Sequence, residues 1–130
     1  MKKRWIAILL VICAVLLTAA VTRQRPLRDL RAADITAASV TWTPPGTTVQ
    51  VQDLQALASA LQKITVYCPD DSYTQYTGQT VAFTLFMADG AQLTVTESAA
   101  KGIYGINGTG WRVQEASCRE LTRLANALRP

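Results

Sequence analysis

The chain has 130 residues, a length that suits one folded domain, and 49% of them are hydrophobic. Its net charge of +4 is uneven, because residues 1–32 carry seven basic side chains against one acidic, whereas residues 33–130 carry six basic and eight acidic ones. The folded part therefore lacks the basic balance of a nucleic-acid-binding protein, and no nucleic-acid partner is predicted. The chain contains no histidine, which excludes catalysis or metal binding through imidazole.

The N-terminus has the pattern of a membrane-targeting segment. Three basic residues at positions 2–4 precede an uncharged run from Trp5 to Val21. As a helix that rises about 1.5 Å per residue, this run is roughly 25 Å long, close to the minimum for crossing the apolar part of a bilayer. Three interpretations stay open: an uncleaved anchor, a secretory signal cut after Ala20, or a helix buried in a soluble protein. The length of the run and the arginines after it favour an anchor over residues 1–22.

The next segment, residues 23–32, is polar, rich in arginine and interrupted by Pro26. It is predicted to be a juxtamembrane linker. The charges on the two sides of the uncharged run differ little, so the positive-inside rule orients the chain only weakly. A short basic N-terminus followed by a folded domain favours a single-pass protein of the cell membrane with its C-terminal domain outside the cytoplasm. If the signal is cleaved, the same domain is secreted.

Residues 33–130 show strand and helix patterns in succession. Alternating apolar and polar residues predict strands at 39–43, 47–52, 65–68, 79–87, 92–97, 103–106 and 109–113. Helical spacing predicts one amphipathic helix after the N-cap Asp53 and another between Ala116 and Leu128. Turn signals such as Asn107-Gly108 indicate hairpins. The predicted fold class is α+β: an N-terminal transmembrane helix, then an antiparallel sheet with two helices packed on one face, in an extracytoplasmic domain over residues 33–130.

Two cysteines, Cys68 and Cys118, lie in the predicted domain. Their separation does not match a short metal-binding spacing. Outside the cytoplasm they can pair, and such a bridge would contribute about 3–4 kcal/mol of stability. Two buried free thiols are the alternative. The sequence predicts no catalytic, cofactor-binding or metal site, since a thiol nucleophile would lack a histidine base and no phosphate-binding motif is present.

Aromatic residues mark a candidate partner-binding surface. Tyr73 and Tyr76 lie in a predicted loop with aspartates and hydroxyl side chains, and Trp111 lies in the last predicted strand. Amphipathic rings of this kind often anchor contacts with proteins or sugars. The alternative is that they cover the edge of the sheet. We expect the partner contact at Tyr73, Tyr76 and Trp111.

Over residues 28–130 the chain resembles a set of small extracytoplasmic domains from anaerobic Gram-positive bacteria. The segments that carry the resemblance are Leu30–Ile35, Val40–Pro45, Asp70–Gln79, Phe83–Gly90 and Cys118–Asn126. Such domains occur alone behind a membrane anchor or next to membrane metallopeptidase modules of the antibiotic-sensor type. The resemblance implies a location and a fold, and it supplies no catalytic residues, because the His-Glu-x-x-His motif of those peptidases is absent.

These observations predict a non-enzymatic, membrane-tethered extracytoplasmic domain that acts as a binding or sensor/accessory module. Its predicted partners are the membrane, through the N-terminal helix, and a protein or cell-envelope ligand. One alternative is an inhibitor or structural partner of a membrane peptidase. A small envelope enzyme is a further alternative, which the missing histidine and motifs disfavour.

Overall fold

The computed structural model describes residues 2–75, 77–99 and 101–130, without the side chains of residues 16–22, 73 and 74. Helix α1 (Lys2–Thr22) precedes an α+β domain, whose strands and helices in chain order are β1 (Ile35–Thr43), β2 (Thr47–Gln50), α2 (Leu54–Gln62), β3 (Val66–Pro69), β4 (Thr80–Met87), β5 (Gln92–Glu97), β6 (Ile103–Ile106), β7 (Thr109–Val113) and α3 (Arg119–Leu128). The strands form an antiparallel sheet in the order β2-β1-β4-β5-β6-β7-β3. The predicted α+β class and antiparallel sheet are confirmed.

One face of the sheet forms the hydrophobic core. Val40 on β1 is the register partner of Phe83 on β4, which is in turn the partner of Val95 on β5. Directly paired residues lie on the same face, and all three side chains are buried. The same cluster includes buried residues of both α2 and α3, namely Leu57, Leu61, Leu121 and Ala125. The two helices therefore pack on this face of the sheet.

Local sequence signals determine where α2 begins and how the chain turns between β6 and β7. The carboxylate of Asp53 accepts a hydrogen bond of 3.0 Å from the amide of Ala56, which is the predicted N-cap. Asn107 and Gly108 have φ values of 49° and 84°, as a two-residue hairpin turn of the primed type requires. The side chain of Asn107 also accepts a hydrogen bond from the amide of Thr94 at 2.9 Å.

Strand β1 begins four residues before the predicted start at Ser39. Ile35 pairs with Met87 of β4, and the register shifts between Ile35 and Ala37. A bulge of this kind adds one residue to a strand, so the side chains before it change face. Ile35 and Ala38 are both buried although they are three positions apart. A prediction based on strict alternation of buried and exposed residues therefore misses the start of this strand.

The segment predicted as a linker, residues 23–32, contacts the domain. Gln24 exchanges two backbone hydrogen bonds with Val66 of β3, at 2.9 and 2.7 Å. The guanidinium of Arg25 donates to the carbonyl of Gln62 at the end of α2, at 2.9 and 2.7 Å. The side chain of Leu30 is only 9% exposed and belongs to the core cluster. Ordered contact with the domain thus begins two residues after α1 ends.

Within the part of the chain that the structure describes, no helix has both the length and the apolar character needed to cross a membrane.

Candidate ligand-binding cleft

A cleft of about 560 Å³ lies between α3 and the ends of strands β5 to β7. Glu97 ends β5, Tyr104 lies on β6 and Val113 ends β7, so these three side chains come from neighbouring strands. The helix closes the other side with a polar stripe at helical spacing, made of Arg119, Thr122, Arg123 and Asn126. A volume of this size accommodates a small organic ligand.

Glu97 lies on the core side of the sheet. It is the register partner of Tyr104 on β6, and it follows the buried residues Leu93 and Val95 at intervals of two along β5. The Glu97 side chain is half-buried, and this burial raises the pKa of its carboxyl group. The described residues offer this carboxylate neither a salt bridge nor a hydrogen bond.

Tyr104 and Cys118 form the floor of the cleft and are 3% and 4% exposed. The phenol of Tyr104 lies near Thr122 of α3 and the thiol of Cys118, close enough for both to influence its pKa. Burial raises the pKa of Tyr104 strongly, and the nearby Cys118 and Glu97 raise it further. Burial is also the main cause of the raised pKa of Cys118, so both groups are protonated at neutral pH.

A short turn, Glu115–Cys118, fixes the position of the thiol. The hydroxyl of Ser117 accepts a hydrogen bond from the amide of Thr65 at 2.9 Å and donates one to the carbonyl of Gln114 at 2.6 Å. The turn is thereby tied to the residue that precedes β3. It places Cys118 below the first turn of α3, where the side chain is buried against Tyr104.

The charged residues at the rim differ in whether they are paired. Lys101 forms a salt bridge with Glu115 at 3.9 Å, and Arg123 forms one with Glu120 at 3.3 Å. Among the described residues, Arg119 has no such partner. Of the described charged residues that line the cleft, Arg119 on α3 and Glu97 on β5 are therefore the two without a salt bridge.

The predicted aromatic surface is only partly described. Tyr73 lies in the turn Asp71–Thr74, and its side chain is outside the described residues, as is all of Tyr76. Trp111 on β7 is half-buried, pairs with Tyr104 and packs against the core. A joint contact surface of Tyr73, Tyr76 and Trp111 stays a prediction.

The turn Asp71–Thr74 is attached to the face of the sheet opposite to Trp111. Arg112 forms a salt bridge of 3.0 Å with Asp70, which caps the turn through the amide of Ser72. Successive residues of a strand point to opposite faces, so Trp111 and Arg112 do as well. The turn is thus attached to β7 through the face opposite to the one on which Trp111 packs.

Both domain cysteines are free thiols in the structure, and a disulfide between them stays a prediction. Cys68 is exposed on β3, an edge strand of the sheet. Cys118 is buried on the core side beside Tyr104. The two thiols therefore lie in different environments.

Comparison of the chain with protein-family models, with curated proteins and with solved structures finds no match. The cleft therefore has to be interpreted from its own residues. Sequence reasoning did not single out Glu97 or Arg119. A signal for Glu97 was present, because an acidic residue in phase with Leu93 and Val95 falls on the face predicted to be buried.

Proposed function

We propose that the protein is a membrane-tethered extracytoplasmic domain that binds a ligand in the α3 cleft and catalyses no reaction. The observation that carries the tether is the exposure of α1. Its consecutive residues from Ile8 to Ile12 are apolar and each is at least 49% exposed. Five consecutive residues cover more than one helical turn, so apolar side chains face outward on every side. A helix that is apolar all round needs an apolar environment, which lipid provides.

The sequence around α1 supports the same proposal. The uncharged run continues to Val21, past the last described side chain of the helix. Basic residues lie at positions 2–4, where a membrane anchor commonly carries them. Gln24 already pairs with Val66, so the domain would lie directly at the membrane surface rather than at the end of a long tether.

The groups in the cleft favour binding over catalysis. Cysteine attacks as a thiolate, and burial raises the pKa of Cys118 and keeps its thiol protonated. The chain has no histidine to remove that proton. The uncompensated charges of Glu97 and Arg119 are instead suited to orienting a bound ligand.

Extraction of membranes with alkaline carbonate tests the tether. We expect the full chain to stay in the membrane pellet and the double variant Leu9→Arg, Leu10→Arg to be released, because each arginine costs about 2.5–3.5 kcal/mol in the middle of a membrane helix. Gln50→Arg with Gln52→Arg is the matched control, since it adds the same charge to exposed residues of the domain and should stay in the pellet. Release of the unmodified chain, or a secreted product that begins near Val21, would contradict the proposal.

A further inference from the structure

The carboxylate of Glu97 is in an unusual environment for a charged group. Its strand position faces the core side of the sheet, and its side chain is half-buried. Burial of a carboxylate is costly unless a cation or hydrogen-bond donors compensate it, and the described residues supply neither. The group adjoins a cleft of about 560 Å³, so a compensating cation can come from a ligand.

Arg119 provides the opposite charge on the other wall of the same cleft. It is exposed in the first turn of α3 and, within the described part of the chain, has no salt-bridge partner. Glu97 and Arg119 both line the cleft, yet they form no salt bridge with each other. The two charged groups therefore border the same cleft without contacting each other.

We propose that the cleft binds a small zwitterion that carries an ammonium group and a carboxylate, with the ammonium at Glu97 and the carboxylate at Arg119. A guanidinium binds a carboxylate through two parallel hydrogen bonds, which fixes the orientation of the ligand. Tyr104 and Val113 form an apolar part of the floor for a small side chain. A free amino acid and a short peptide share this chemistry. The inference rests on the proposed function, since it names the ligand class of the same cleft.

A second groove offers a useful contrast. It is lined by Gln92, Thr94, Thr96, Gly105, Asn107 and Gly108 and contains no charged side chain. Neutral donors and acceptors attract the charged ends of a zwitterion more weakly than ionised groups do. Among the described residues of the α3 cleft, the cation of Arg119 and the carboxylate of Glu97 have no salt-bridge partner and can attract the two ends.

Titration of the isotope-labelled full chain in detergent micelles, followed by amide NMR shifts, tests the inference. The probes are L-alanine, L-alanyl-L-alanine, methylamine and acetate. We expect saturable shifts at Glu97, Gly102 and Arg119 with at least one of the two zwitterions, and the better one identifies an amino acid or a peptide. Methylamine and acetate should bind at least about tenfold more weakly, because each satisfies only one of the two charges.

Three variants assign the roles of the two charges. Glu97→Gln and Arg119→Gln should each weaken zwitterion binding by about tenfold or more. Arg28→Gln is the matched control, because Arg28 is exposed and lies outside the lining of the cleft, and binding should change less than about threefold. No saturable shift with either zwitterion, or equal binding of methylamine or acetate, would overturn the inference. Membrane extraction gives its result independently of this titration, so failure of the ligand assignment is distinguishable from failure of the tether.

Discussion

The contact between residues 23–32 and the domain leads to a quantitative prediction for Leu30. Its side chain is 9% exposed and lies in the core cluster, so Leu30→Ala removes most of a buried leucine side chain. Burying such a side chain contributes about 1.5–3 kcal/mol, and the residual cavity adds to this where the surroundings cannot collapse. Because Leu30 lies on a chain segment at the margin of the core, we expect the low end of the leucine-to-alanine range, about 2–3 kcal/mol.

Thermal unfolding of the full chain in detergent, followed by tryptophan fluorescence, measures this effect. Trp42 is 2% exposed and Trp111 is half-buried, so both report on the domain, and a Trp5→Phe background removes the fluorophore of α1. A loss of about 2–3 kcal/mol corresponds to a fall in Tm of roughly 8–24 °C for a domain of this size. A chain in which residues 23–32 are a free linker would show no such fall.

Arg28→Ala is the control from the same segment. The Arg28 side chain is 71% exposed and forms a salt bridge with Asp29 at 3.8 Å. Exposed pairs of this kind contribute little, so the change should stay within about 0.5 kcal/mol. If Leu30→Ala and Arg28→Ala have the same small effect, the reasoning that residues 23–32 form part of the folded domain is refuted.

Three further predictions concern Glu97, Asp53 and Asn107. Burial raises the pKa of Glu97, so the folded domain loses stability as the pH rises through the ordinary glutamate pKa of about 4.3 and beyond. The gain in Tm from Glu97→Gln should therefore grow from acidic to neutral pH. A Tm difference that does not change with pH would contradict this prediction. Asp53→Ala should cost about 1 kcal/mol in urea unfolding and Asp53→Asn much less, because asparagine also caps a helix; equal losses would argue against the cap. Asn107→Ala should lower the free energy of unfolding by about 1–2 kcal/mol, because alanine is strained at φ 49° and cannot make the side-chain hydrogen bond to Thr94. Asn107→Gly should lower it less, and the reverse order would count against the turn assignment.

Much of the fold was predictable because its signals are local. The carboxylate of Asp53 acts three residues along the chain, and the Asn107-Gly108 turn connects strands that directly precede and follow it. Alternation within β4 and β5 likewise depends on neighbouring residues alone. The bulge near Ile35 was missed because one extra residue inverts the alternation on which the prediction depends.

The cleft was not predictable in the same way. Glu97, Tyr104 and Arg119 come together only through the register of β5 on β6 and the placement of α3 over them. Neither can be derived from residue spacing. The contacts of Gln24 and Leu30 were missed for a related reason, since an arginine-rich segment with a proline has the composition of a linker while its partners are far along the sequence.

The most direct test of the central claim, a tethered domain outside the cytoplasm, is labelling of intact cells with a membrane-impermeant maleimide. Cys68 is exposed on the domain, Cys118 is 4% exposed, and Cys13 lies within α1. A tethered domain outside the cytoplasm should give one label on the membrane-bound chain of unbroken cells, lost in Cys68→Ser and retained in Cys118→Ser. Labelling of Cys68 only after lysis would place the domain inside the cell and contradict the account.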